Sequence, residues 1–169
     1  NYVPQPQSMI EGVAKLQPGH YMLVDANGIK EDKSYYEINI DTASYNKYTY
    51  EAAQDELVKR MDESVRERMI ADVPLGAFLS GGIDSSVIVA LASNYTKNLN
   101  TFSVGYKDNA FYDETSYAKL VADKYKTNHT VFSLTNSDFL EHVFGVLDYL
   151  DEPFADSSAI PEYILCHHT

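Results

Sequence analysis

The sequence predicts an α/β fold: a parallel sheet with flanking helices, preceded by a short piece of β structure. Three observations predict it. From residue 75 onward, short apolar runs and amphipathic runs alternate three times, the order that yields parallel strands joined by crossover helices. The first of those strands meets its helix at a Gly-Gly pair, Gly81-Gly82. Residues 1–40, by contrast, are punctuated by Gly and Pro and hold only short extended runs, too little chain to bury a core of their own.

Taken in order, Gly19-His20-Tyr21-Met22-Leu23-Val24-Asp25 reads as a strand. Ala26-Asn27-Gly28 carries the Asn-Gly signal of a tight hairpin turn, and residues 35–40 alternate as a returning strand would. Residues 1–40 therefore form the end piece of a β structure, 41–50 a polar linker, and 51–169 a second domain. A helix is expected from about Thr49. Its apolar residues Ala53, Leu57, Met61, Val65 and Met69 recur every fourth position, with Val58 and Ile70 beside them, which makes one helical face. Pro74 is expected to stop it. Strands then follow at 75–79, 101–106 and 130–134, and helices at 86–94, 114–125 and 137–149.

Composition narrows the function classes. Hydrophobic residues at 44% and charged residues at 22% are the balance of a soluble globular protein. No apolar run approaches the ~20 residues of a membrane span, and no basic-then-apolar signal segment opens the chain, so no membrane role and a cytoplasmic location are expected. One cysteine, Cys166, excludes an internal disulfide framework. The net charge of −12 argues against nucleic acid as a partner, because phosphate backbones are repelled and no basic stripe is present. The 14 tyrosines are scattered without a basic groove and form no stacking platform. A nucleotide remains compatible with this charge, since backbone N–H groups and a metal ion can hold it.

The central feature is Ser80-Gly81-Gly82-Ile83-Asp84-Ser85-Ser86, placed between strand and helix. Adjacent glycines allow a tight turn and a close backbone approach to a ligand. The following helix offers unpaired N–H groups and its positive dipole end, a cradle for phosphate. Ser80, Ser85 and Ser86 can add hydroxyl donors. Asp84 would repel a phosphate directly, so its natural role is to hold Mg²⁺ that bridges phosphate oxygens. No Gly-Lys-Ser/Thr follows, so this is not a Walker A loop, and no third glycine makes a dinucleotide fingerprint. A loop lacking that lysine suits pyrophosphate as leaving group, with attack at the α-phosphate. A plain Gly-Gly turn with Asp84 or Ser85 as helix cap is the structural alternative. The full seven-residue pattern favours the phosphate reading.

With its flanks, the stretch Val73-Pro74-Leu75-Gly76-Ala77-Phe78-Leu79-Ser80-Gly81-Gly82-Ile83-Asp84-Ser85-Ser86 resembles the synthetase domain of glutamine-dependent asparagine synthetases. Thr101-Phe102-Ser103-Val104-Gly105-Tyr106 is similar to that family's second strand, and Tyr112-Asp113-Glu114 with Ser116-Tyr117-Ala118 to the start of its next helix. Asp151-Glu152-Pro153-Phe154-Ala155-Asp156-Ser157-Ser158-Ala159-Ile160-Pro161 is similar to a later segment. Upstream, Glu11-Gly12-Val13-Ala14-Lys15-Leu16-Gln17-Pro18-Gly19-His20-Tyr21 resembles the last part of the family's glutaminase domain.

The resemblance implies a sheet of the adenine-nucleotide α-hydrolase (PP-loop) type, following a β remnant of the glutaminase domain. It implies an enzyme in which ammonia from glutamine attacks a β-aspartyl-adenylate made from aspartate and MgATP, giving asparagine, AMP and pyrophosphate. Ser80, Gly81, Gly82, Ile83, Asp84, Ser85 and Ser86 would hold pyrophosphate, Asp84 the Mg²⁺, and Leu79 and Val104 the nucleoside. ATP and Mg²⁺ are thus the expected cofactors, aspartate and ammonia or glutamine the small-molecule partners, and a homodimer of the parent is compatible with it. The family's glutaminase nucleophile is an N-terminal cysteine. Residue 1 here is Asn, and no cysteine precedes Cys166. The family's later Ser-Gly-rich acidic segment would fall beyond Thr169. The expectation is a truncated piece, inactive alone, with exposed apolar faces that favour self-association. Relatives that adenylate another acid, such as a sugar acid or a β-lactam precursor, stay open, as does nucleotide binding without catalysis. An RNA-modifying relative would need a basic face and a thiol-chemistry cysteine, which the sequence lacks.

Other residues carry weaker signals. Cys166-His167-His168 are adjacent and cannot all face one ion, so they read as a helix end. His129 reads as a surface or core histidine. Asp113-Glu114 suit a helix start. Asp151, Glu152 and Asp156 suit either a substrate route or a capped turn.

Overall fold

The computed structural model describes residues 2–40 and 47–169. The linker expected at 41–50 lies mostly outside the described residues. The chain divides into two compact units, Asn1–Lys47 with Asp148–Ser157, and Tyr48–Leu147 with Ser158–Thr169. The first unit thus takes in a segment that the sequence groups with the C-terminal part.

The first unit holds an antiparallel hairpin of β1 (His20–Asp25) and β2 (Gly28–Ser34). Its turn is Ala26-Asn27, with Asp25 opposite Gly28. The Asp25 Oδ1 accepts the Asn27 N–H at 2.8 Å, and Gly28 sits at φ +110°, a value that glycine reaches without a Cβ penalty. This corrects the expected return at residues 35–40. A two-residue turn fixes the register at once, so the polar run Ile29-Lys30-Glu31-Asp32-Lys33 pairs with β1, and the apolar-alternating run falls beyond the hairpin. Within the same unit, Lys15 Nζ bonds Glu152 Oε1 at 2.6 Å and the Val3 carbonyl at 2.9 Å. Glu152 thereby anchors the N-terminal segment.

The second unit begins with α1 (Tyr50–Arg68). Thr49 is its N-cap: the Thr49 Oγ1 accepts the Ala52 N–H at 3.2 Å, which satisfies one of the orphan donors of the first turn. The helix ends at Met69, whose N–H turns back to the Arg66 carbonyl, five residues before Pro74. That spare chain is used to bring β3 into the sheet. Only the C-terminal half of the expected face is covered. Val65 is buried and Met61 and Met69 are partly so, whereas Leu57 and Val58 are exposed.

A three-stranded parallel sheet follows, in the order β3 (Gly76–Phe78), β4 (Asn100–Tyr106), β5 (Asn128–Leu134). Thr101 lies opposite Ala77 on one side and His129 on the other. The helices are α2 (Ile83–Ala92), α3 (Thr115–Tyr125), α4 (Asn136–Asp148) and α5 (Ala159–His168). The expected alternation of strand and helix is present, with boundaries moved by one to three residues. Along β4, burial alternates with period two: Thr101, Ser103 and Gly105 are buried, and Phe102, Val104 and Tyr106 half-buried. The buried face meets a core of Val65, Leu79, Val89, Ala92, Leu99, Ala118 and Ala122. The alanines of α2 and α3 let helix and sheet approach closely. On the other face, Phe102 stacks on Phe132 and Phe132 on His168 of α5. Among the described residues no helix is long and apolar enough to cross a membrane.

Candidate functional site

The loop at residues 80–86 emerges from the carboxyl end of β3, where open parallel sheets bind ligands. Gly81 adopts φ +85°, a backbone open to glycine and strained for other residues. Its second reason is space. A Cβ there would stand 2.6 Å from both the Ala118 nitrogen and the Tyr117 Cβ, so the loop lies directly on the first turn of α3. Gly82 is the N-cap of α2, in extended conformation and without any side-chain cap. The first intrahelical bond runs from the Ser86 N–H to the Gly82 carbonyl at 3.0 Å. The N–H groups of Ile83, Asp84 and Ser85 precede that bond and have no carbonyl four residues back to meet.

The loop hydroxyls brace the loop itself. Ser80 Oγ and Ser85 Oγ are 3.0 Å apart, the Gly82 N–H donates to Ser80 Oγ at 3.3 Å, and Ser86 Oγ donates to the Gly82 carbonyl at 2.6 Å. The result is a rigid turn whose free donors are backbone amides at a positive helix end. Asp84 is exposed in the first turn of α2. Ile83 is 83% exposed and takes no part in the core.

The two residues expected at the nucleoside part company. The Leu79 side chain is 1% exposed within the core, on the same sheet face as Ala77 and Ser103. Val104 belongs to the opposite face of β4 and is half-buried. The structure brings Ser80 through Ser86 together and does not bring the Leu79 and Val104 side chains to one surface.

Neighbouring groups at this end of the sheet come from the start of α3 and the residues just before it. Asp113 Oδ1 accepts the Thr115 N–H at 2.9 Å and the Thr115 hydroxyl at 2.6 Å, which holds its carboxyl below the ordinary carboxylate range. This is a helix-start role, as the sequence favoured. Gly105 at the end of β4 leaves room for the same corner: a Cβ there would stand 3.0 Å from Thr115 Cγ2. Beneath the loop, Ser103 Oγ donates to the Leu79 carbonyl, and His129 lies 3.5 Å from that same Oγ. Burial holds His129 below its ordinary pKa. Neither Ser103 nor Tyr117 stood out in sequence, because a serine in a strand and a tyrosine on a helix carry no signal until register and packing place them. At the C-terminal end, Cys166 is exposed, His167 stacks on Tyr163 and His168 on Phe132. No group of three or more His, Cys, Asp or Glu residues that could hold a metal occurs among the described residues.

The family model for asparagine synthase matches residues 56–169, which includes the loop, the whole parallel sheet and α1 from Glu56 onward. The chain belongs to the asparagine synthase family. Its similarity extends over nearly its full length. It is 36% identical over 96% of the chain to a glutamine-hydrolysing asparagine synthetase 2 assigned in Methanocaldococcus jannaschii. It is 32% identical over 97% of the chain to asparagine synthetase (glutamine-hydrolysing) 1 of Bacillus subtilis. A more distant relative, 28% identical over 70% of the chain and covered for 20% of its own length, is the amidase chyE of Penicillium rubens. The chain spans 31% and 25% of the length of the first two relatives.

Proposed function

We propose that this chain carries the nucleotide-binding part of an ATP-dependent amide synthetase that makes asparagine. In this reading residues 1–40 are the end of a glutaminase domain and 51–169 the first part of the PP-loop synthetase domain. The observation that carries it is the uncapped start of α2. Gly82 offers no side chain to the amides of Ile83, Asp84 and Ser85, and Gly81, at φ +85°, makes the bend of the braced turn that precedes them. Three amides at a helix N-terminus match the oxygens of a pyrophosphate group.

The chemistry follows from that match. An oxygen of the aspartate side-chain carboxylate attacks the α-phosphorus of ATP. The α–β phosphoanhydride bond breaks, and its electron pair leaves on pyrophosphate. Ammonia then attacks the acyl carbon, loses a proton, and AMP departs with the bonding pair. Amides already aimed at the departing pyrophosphate stabilise charge that develops in the transition state. The residues present fit Mg²⁺ with one protein ligand, Asp84, the remainder coming from phosphate oxygens and water, as Mg²⁺ prefers. When bound, it would neutralise charge on the phosphates.

In a second reading the same loop serves adenylation of a different carboxylic acid, since residues 80–86 would meet phosphate and do not select the acid. The test is amide synthesis by the full-length protein carrying this chain, supplied with MgATP, aspartate and ammonium chloride. Asparagine formed together with pyrophosphate, and lost in Asp84→Asn, supports the first reading. Pyrophosphate release that ignores aspartate but needs Asp84 moves the reading to another acid. No release under any condition removes the catalytic proposal.

A further inference from the structure

Leu79 follows the last residue of β3, where the loop begins, and a chain of side chains reaches its carbonyl from β5. Ser103, 3% exposed, donates its hydroxyl to that carbonyl. The His129 Nε2 lies 3.5 Å from Ser103 Oγ, its Nδ1 lies 3.0 Å from Thr101 Oγ1, and Thr101 Oγ1 lies 2.7 Å from Thr127 Oγ1. Thr101 is fully buried. Proton counting sets the direction. A hydroxyl has one proton, and that of Ser103 is used on Leu79, so its oxygen must accept from His129 Nε2–H. A neutral ring then accepts at Nδ1 from Thr101, and Thr101 accepts from Thr127. Burial is the largest influence on the ring and favours its neutral form, a backbone hydrogen bond with Thr101 works the other way, and the charged groups that act on it from α3, Lys119 and Asp123, oppose each other. Leu79 is held on its other side too, since its N–H donates to the Phe102 carbonyl at 2.8 Å.

We propose that His129 and Ser103 are positioning residues for the loop: His129 aims the Ser103 hydroxyl, which fixes the Leu79 carbonyl and with it the root from which residues 80–86 depart. The ligand consequence rests on the loop's reading as a pyrophosphate cradle, whereas the positioning itself does not. Amides four to six residues beyond a fixed root keep their aim, and amides beyond a loose root lose it.

The test compares His129→Gln, His129→Asn and Ser103→Ala in the full-length protein carrying this chain. Both histidine variants delete the ring. A glutamine amide reaches the place of Nε2, whereas an asparagine amide reaches only that of Nδ1. Two readouts are taken: hydrogen exchange at the Leu79, Ser80, Gly82 and Ser86 amides without ligand, and the Kd for inorganic pyrophosphate with Mg²⁺. Ser103→Ala and His129→Asn are expected to raise loop exchange and weaken pyrophosphate binding roughly five- to tenfold each, the scale of one lost buried hydrogen bond. His129→Gln stays within about twofold of wild type on the same scale. A merely structural ring would make the two histidine variants alike, and that result overturns the inference. So does unchanged loop exchange in Ser103→Ala, which is small enough to fold if His129→Asn does not. Failure of the wild-type protein to bind pyrophosphate overturns the loop's reading instead, and the exchange pattern still decides the relay.

Discussion

The position that a Cβ on Gly81 would take lies 2.6 Å from the Tyr117 Cβ and 2.6 Å from the Ala118 nitrogen. One of these is backbone of α3 and cannot swing aside. Gly81→Ala therefore meets both a clash and a positive φ of 85°, and the strained backbone alone costs about 1–3 kcal/mol. Urea unfolding is expected to show a loss of at least that size, and pyrophosphate binding should fall with it. Gly82→Ala is the contrast. Gly82 has an ordinary negative φ, its nearest group would be a single hydroxyl, Ser80 Oγ at 3.3 Å, and its loss should stay under about 1 kcal/mol, the scale of a changed cap.

Asp84→Asn separates metal holding from folding. Asp84 is exposed in the first turn of α2, where its charge complements the helix dipole by about 0.3–1 kcal/mol. Thermal unfolding should change little. Titration of pyrophosphate at rising Mg²⁺ should show that the metal no longer tightens binding.

Much of this site was legible because its signal is local. Two glycines, three serines and an aspartate at a strand–helix junction state their geometry in seven consecutive residues. The start of α1 was legible in the same local way, through apolar residues at every fourth position from Ala53, and the cap at Thr49 came into view with the structure. The relay from His129 to Leu79 was not legible, since it depends on Thr101 lying opposite His129 in a parallel pair, a register with no turn to fix it. The hairpin return was misjudged for a related reason. Lys30, Glu31, Asp32 and Lys33 have no strand-like composition, and the turn at Ala26-Asn27 pairs them nonetheless. The end of α1 was placed too late because Pro74 is a visible stop, whereas the turn at Met69 is made by backbone alone.

His129 gives the stability curve a definite sign. Its pKa is lowered in the folded protein from 6.5. Above that value the ring is neutral in both states. As pH falls through 6.5, the unfolded chain takes up the proton first, so stability decreases. Unfolding free energies measured from pH 7.5 to 5 should fall, and His129→Gln should reduce that step while leaving the rest of the curve unchanged.

Asp138 acts at lower pH. Its Oδ2 accepts the Thr135 N–H at 2.6 Å and the Thr135 hydroxyl at 2.8 Å at the start of α4, and these bonds hold its carboxyl below 3.8. The stabilisation is fully present above 3.8 and is lost as pH falls through the lower folded value. Helix content followed by circular dichroism during acid titration should decline less steeply in Asp138→Asn, whose neutral side chain no longer titrates.

Lys15→Met probes the first unit by itself. It removes the pair with Glu152 and the bond to the Val3 carbonyl, both partners being about a quarter to a third exposed. A partly exposed pair of this kind contributes on the order of 1 kcal/mol. Limited proteolysis should cut earlier in the segment before His20, with the rate of cleavage in α2 and α3 unchanged.

The central claim is that the loop receives pyrophosphate as a leaving group. Phosphorus NMR of the full-length protein carrying this chain, incubated with MgATP, aspartate and ammonium chloride, reads the cleaved bond directly. AMP and pyrophosphate appearing in equal amounts, and absent in Gly81→Ala, is the predicted result. ADP and inorganic phosphate as the products would contradict the account, because the bond broken would then be one the loop is not built to release.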